Sequence, residues 1–381
     1  MSVFGRVVAA SVLAALGCVA RVVIVASGNA RPLLGRSTGP RRERISSAPA
    51  FGRMRRTTVL VMVLVTALSA FVTTARRYAT PSVAAASTSL IAYVVDSDAA
   101  SVTPIELASN APGRAIPVGR YPDAIAITPD GSTAYVANGI SDTVTPIDLT
   151  TETPGKAIRV GVSPVALAIA PDGKTAYVVN EADDTVTPIN LETDRPGKAI
   201  AVGLYPDAIA IAPDGKTAYV ANSDANTVTP VSLVTNRPGK AIRGGADPAG
   251  IAIAPDGSTA YVADSAAGTV TPVDLATDTP GKAIRVRSGP VAIAITPDGA
   301  TALVANSVSG SVTPIDLATL RPGKPIPVGS GPLAIAIAPD GATAYVAGAV
   351  GNTVTLINIT TDTRERTIRA GARPAAIALV G

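Results

Sequence analysis

Residues 122–161 read PDAIAITPDGSTAYVANGISDTVTPIDLTTETPGKAIRVG. Four short apolar runs, Ala124–Thr128, Thr133–Asn138, Thr143–Leu149 and Ala157–Gly161, are separated by turn residues. Each run is too short for a helix and rich in Val, Ile, Thr and Tyr, so four antiparallel strands are predicted. Pro129-Asp130-Gly131 joins the first two. Proline presets φ, aspartate bonds its own backbone and glycine takes a positive-φ position. The turn accounts for all three residues, so these aspartates read as structural.

The unit repeats. The Pro-Asp-Gly triplet at Pro129 returns at Pro171, Pro213, Pro255, Pro297 and Pro339, each forty-two residues after the last. Repetition on this scale overrides the two or three domains that 381 residues would suggest. The second run carries Tyr93, Tyr135, Tyr177, Tyr219, Tyr261, Leu303 and Tyr345 in register, which counts seven units. The first unit lacks an innermost run, and the chain ends with one, Pro374–Val380. The expectation is an all-β fold: a seven-bladed β-propeller of four-stranded blades over residues 87–381. It would be closed by pairing Ala375–Val380 with Leu90–Val95. The innermost runs alternate Ala and Ile, giving each blade one small and one bulky face for stacking on its neighbours.

Two features of the repeat break simple strand rules. The third run carries proline in six copies, from Pro104 to Pro314, and Leu356 in the seventh. Proline cannot donate to a ladder, so a bulge or an unpaired position is expected there. The outermost run begins Pro-Gly-Lys at Lys156, Lys198, Lys240, Lys282 and Lys324, with Arg114 equivalent in the first copy. Charge and proline on an exposed edge block edge-to-edge aggregation, which is the plain reading of this basic ring.

AYVAN followed by TVTPIDL, with PDAIAITPDG before it, resembles the YVTN-type β-propeller repeat, and the resemblance covers 88–381. Relatives of this kind include bacterial and archaeal surface and secreted proteins. Their fold is similar to that of lactonase-like propellers and of a histidine-dependent lyase. This chain has no histidine, so that lyase chemistry has no counterpart here. No positions match lactonase residues, and the resemblance implies a fold more strongly than an activity.

The formal charge of +4 is misleading. Residues 1–85 hold twelve arginines and a single acid, Glu43, which leaves twenty of the 32 basic and twenty-seven of the 28 acidic side chains in 86–381. The repeat domain is therefore acidic, at about −7, which argues against nucleic acid as a partner even though some relatives bind DNA. Thr57–Ala75 is apolar, follows Arg53, Arg55 and Arg56, and precedes small residues ending at Ala86. That is the layout of a signal peptide over 54–86 starting at Met54, or of a membrane anchor, with 1–53 an upstream extension. A secreted or envelope location follows, with the membrane touched only through the leader. The one cysteine, Cys18, lies in that leader, so the repeats have no disulfide or thiolate site.

Without histidine the commonest general base is missing, and no cofactor or metal is expected. The connections that precede the innermost runs differ between copies, reading GRYPD, GVSPV, GLYPD, GADPA, RSGPV, GSGPL and GARPA. Loops on a rigid scaffold carry binding, so Arg120, Tyr121, Asp123, Tyr205, Asp207, Asp247 and Arg373 are the candidate ligand-binding residues. Asp96, Asp98, Glu181, Asp183, Asp184 and Asp224 on the same face are oxygen donors of the kind Ca²⁺ takes. Asn358-Ile359-Thr360 fits a glycosylation acceptor. Two functions fit: a non-catalytic propeller binding a protein, peptide or glycan through its variable face, or a lactonase-like hydrolase using Asp, Arg and Tyr at the channel mouth.

Overall fold

A computed structural model describes residues 90–381. The leader, with Cys18 and both expected segments 1–53 and 54–86, lies outside the described residues. The described chain is all-β and forms seven antiparallel sheets, each ordered from an innermost to an outermost strand. In the second blade these are Pro122–Ile127, Thr133–Asn138, Thr143–Asp148 and a fourth strand in two pieces, Thr153–Pro154 and Ile158–Arg159.

The ring closes as expected. Pro374–Val380 pairs antiparallel with Ile91–Asp96, joining Val380 to Ile91 and Ile377 to Val94, so the termini build the first blade together. Seven buried clusters lie between the blades. In one of them Ala124 and Ala126 of the second blade meet Leu167 and Ile169 of the third. Small against large is what lets seven sheets pack at native density around an axis. The Pro-Asp-Gly turns also behave as expected. Asp130 accepts hydrogen bonds from Thr128 Oγ1 (2.6 Å) and the Ser132 N–H (3.0 Å), and Gly131 sits at φ 72°.

The proline rule holds, but one strand further out than expected. The third strands are continuous and pair cleanly inward, with Pro104 opposite Tyr93 and Pro146 opposite Tyr135. A residue's N–H and C=O point to the same side of its strand, and the Pro146 carbonyl accepts from Gly155, on the outer side (2.7 Å). The missing donor therefore faces the fourth strand, which loops away opposite the proline and splits in two. The seventh blade is the natural control. With Leu356 in place of proline, its fourth strand runs unbroken from Thr363 to Arg369, with only a register shift opposite Leu356. Lys156 and its equivalents consequently lie in the loop-out between the two pieces, not in a strand.

Candidate functional site

The asparagine that ends each second strand sets the geometry of the variable face. Asn138 is fully buried; its Oδ1 accepts the Gly119 N–H (3.0 Å) while its Nδ2 donates to Thr145 Oγ1 (3.0 Å). Asn180, Asn222 and Asn306 repeat the arrangement, so in these four blades the second strand holds the connection that leads into its own inner strand. A second clamp lies above it. Asp142, Asp184, Asn226 and Asn352 in the second-to-third loops accept the N–H groups of Ser163, Tyr205, Asp247 and Arg373.

The clamped residues stand immediately before the inner-strand prolines and are left-handed, Ser163 at φ 55°, Tyr205 at 55°, Asp247 at 58° and Arg373 at 55°, and Tyr121 takes the same conformation at 54°. Glycines 289 and 331 take this position in the sixth and seventh blades. A bulky residue at positive φ is strained and persists only where the surroundings hold it. Arg373 stacks on the Tyr121 ring (4.9 Å) and approaches Asp98 at 3.9 Å. Arg120 is exposed beside Ser141, whose Oγ accepts its N–H (2.8 Å).

Asp123 and Asp207 occupy the bulged second position of their inner strands, where the register shifts between Pro122 and Ala124 and between Pro206 and Ala208. The other blades carry Val, Ala or Leu there. Glu181, from the blade between, acts on both. Burial first, and then the Glu181 charge, lift Asp123 to about 6. The same two causes lift Asp207 to about 7, with a hydrogen bond to Glu181 adding and one to Ser223 opposing. Glu181 also accepts from Ser163 Oγ (3.2 Å). Burial and a neighbouring carboxylate both disfavour the anions, so Asp123 and Asp207 take up a proton at a higher pH than an exposed aspartate does.

The remaining acids do not assemble a Ca²⁺ site. Asp183 accepts the Val162 N–H (2.6 Å), Asp184 is the clamp on Tyr205, and Asp96 is buried against Thr103. Among the described residues no group of three or more acidic side chains is arranged to hold a metal ion. Asn358, the glycosylation position, donates to Glu365 and accepts the Thr361 N–H.

Apart from Tyr205, the apolar part of this face was not among the residues singled out from the sequence. Of the eight large hydrophobic side chains left exposed among the described residues, six lie on it: Ile140, Val162, Leu204, Tyr205, Val308 and Val350. Leu204 is 59% and Val308 77% exposed. The signal was present as single apolar residues in otherwise polar loops. It became meaningful only when the blades brought those loops to one side.

Fold and face together define a seven-bladed β-propeller with one invariant and one variable surface. The YNCE-like beta-propeller family model matches residues 54–177 and 173–275, and the chain belongs to that family. No curated protein matches it. Hydrazine synthase of Kuenenia stuttgartiensis is 25% identical, with a TM-score of 0.62 over 67% of this chain and 88% of that one. A functionally unknown protein from Desulfotomaculum acetoxidans is 18% identical, with a TM-score of 0.68 over 76% of this chain and 98% of that one. A putative 6-phosphogluconolactonase from Bacteroides fragilis is 15% identical, with a TM-score of 0.67 over 78% of this chain and 99% of that one. The last two likenesses concern the fold alone. Among the described residues no helix is long and apolar enough to cross a membrane.

Proposed function

We propose that the propeller is a non-catalytic binding module, exported to the cell envelope or beyond by its leader, that takes a protein or peptide partner on its variable face. The observation that carries this is the gathering of six of the eight exposed large apolar side chains there. Exposed apolar side chains gathered on one face mark interaction sites, and the Asp123–Glu181–Asp207 group suits a partner that presents basic groups as well as apolar ones. A glycan would satisfy the carboxyls but leave Leu204, Val308 and Val350 uncovered. The test is capture from envelope extract by the wild-type ring and by a Leu204→Ser, Val308→Ser, Val350→Ser variant. One partner held by the wild type and lost by the variant is expected; equal capture by both refutes the reading.

A hydrolase is the second reading, favoured by one observation. Asp207, with its pKa near 7, is poised for general acid or base work at the mouth of the ring. Lactone hydrolysis by the wild type that Asp207→Asn abolishes would establish it in place of the binding module.

A further inference from the structure

The net charge of the repeat domain conceals a division. The outermost strands with their loop-outs are residues 111–118, 153–160, 195–202, 237–244, 279–286, 321–328 and 363–370. These segments hold fifteen of the twenty basic residues and one of the twenty-seven acidic residues of 86–381, Glu365. All fifteen basic residues are exposed. The circumference is thus a belt of about +14 on a body of about −21. The belt is continuous across blade junctions: Ile158–Arg159 lies beside Arg195–Pro196, and Ile242–Arg243 beside Thr279–Pro280. The two ion pairs among the described residues, Lys216–Asp214 and Arg373–Asp98, leave the belt untouched.

Protection of sheet edges explains a lysine per blade but not the near-total exclusion of acids from seven outer strands. Nor does it explain the clefts. Where proline pushes the fourth strand outward, the junctions open into grooves at the level of the belt. One of about 410 Å³ is lined by Arg237, Lys240 and Tyr219. Another of about 400 Å³ holds Lys282 and Tyr261. A third of about 380 Å³ holds Arg159 with Thr185 and Thr187, and a fourth of about 320 Å³ holds Lys324 and Arg364. Each is large enough for a small ligand unit and sets its cations beside one carboxylate, Asp278, Asp274, Asp183 and Asp362 in turn, so the grooves offer mixed hydrogen-bonding walls and the net positive charge lies in the belt that runs past them.

We infer that this belt is a second binding surface, independent of the variable face, and that its ligand is a flexible anionic polysaccharide wound along the rim with successive sugar units in the grooves. A repeating polyanion matches a repeating belt of exposed cations, the carboxylate and hydroxyl groups of the grooves can bond sugar hydroxyls, and many weak contacts in series give avidity. Nucleic acid fits less well. The belt offers no exposed aromatic platform on which bases could stack: Tyr219 and Tyr261 are about 95% buried, and the chain has no tryptophan. A duplex, with a persistence length of about 150 base pairs, resists winding around one convex domain.

The test uses the full-length chain, so that the leader's arginines are common to every sample, at about 0.15 M salt, where weak surface attraction is screened. The probes are a polyuronate, uncharged dextran and a single-stranded oligothymidylate. Wild type should bind the polyuronate and not dextran. Replacing Lys156, Lys198, Lys240 and Lys282 together by Gln should weaken that binding at least tenfold, while Lys174→Gln with Lys216→Gln, on the Pro-Asp-Gly face, should leave it unchanged. Melting curves of both variants confirm folding; single Arg237→Gln and Lys240→Gln changes, each expected to weaken binding measurably, take over if the quadruple variant does not fold. The inference is overturned if wild type does not bind the polyuronate, if oligothymidylate binds more tightly, or if the folded belt variant binds the polyuronate as well as wild type.

Discussion

One position of the repeat shows how a side chain can serve a fold while costing it stability. Where four blades have the buried Asn, the first and fifth have Asp96 and Asp264, both with no exposed surface. An amide donates to the threonine hydroxyls and accepts a backbone N–H; a carboxylate can only accept. Thr103 and Thr271 accordingly turn their hydroxyls round and donate, each at 2.6 Å. Gly371 points its N–H at Asp96, yet Asp96 Oδ1 is left with no well-formed hydrogen bond. Burial dominates, raising Asp96 to about 6 and Asp264 in the same direction. Asp96→Asn should therefore stabilise the ring at pH 7 by about 1–2 kcal/mol, the scale of an unsatisfied buried polar group. The gain should vanish below about pH 4, where the acid is neutral in both folded and unfolded states. Urea melts at pH 7 and pH 3.5 read both; an equal gain at the two values would dismiss ionisation as the cause. In the seventh blade Gly348 supplies no side chain, and Thr355 Oγ1 bonds the Val328 carbonyl directly (3.0 Å).

At the level of elements, closure depends on the last strand. Pro374–Val380 covers the open edge of Ile91–Asp96 and brings Ile377 and Leu379 into the cluster shared by the seventh and first blades. Removing residues 374–381 withdraws both apolar side chains and one ladder, a loss of about 5 kcal/mol or more from burial alone. Thermal unfolding should shift sharply downward; a melting curve that overlays the full-length one would disprove the closure. A milder change tests the proline rule. Leu356→Pro should split Thr363–Arg369 as in the other six blades and cost less than about 1.5 kcal/mol, because the ladder already shifts register there. A proline at Val346, in the second strand and paired on both sides, should cost about 3 kcal/mol or more.

For the molecule as a whole, the raised carboxyls set a pH dependence. Asp96, Asp123, Asp207 and Asp264 all have folded values above the ordinary 3.8, the highest being Asp207 at about 7. Between those limits the folded chain holds more protons than the unfolded one, so stability falls as pH rises from about 4 to about 7 and then levels. The turn aspartates, such as Asp130 and Asp256, have lowered values and act in the opposite sense, but below about pH 4. Asp207→Asn should flatten the slope between pH 5 and pH 7 in denaturant titrations; an unaltered slope would remove Asp207 as its source. The same group would make binding of a basic partner strengthen as pH rises, as Asp123 and Asp207 lose their protons.

The seven blades, their four strands, the Pro-Asp-Gly turns and the C-terminal closure were all legible in residues 88–381, because each is a local pattern repeated at a fixed period. Tyr121, Asp123, Tyr205, Asp207, Asp247 and Arg373 were legible as departures from that pattern. Their interplay was not. Glu181 comes between Asp123 and Asp207 only because the third blade sits between the second and fourth, and the apolar side chains from Ile140 to Val350 collect on one side only through the antiparallel course of every sheet. The proline in the third run announced a fault without saying on which side of the strand it would fall; the direction of the carbonyl decided that. A repeated sequence specifies its own neighbours well, since each blade meets an almost identical one. Which departures from the repeat face each other is a property of the closed ring, and it was the tertiary structure that brought them together.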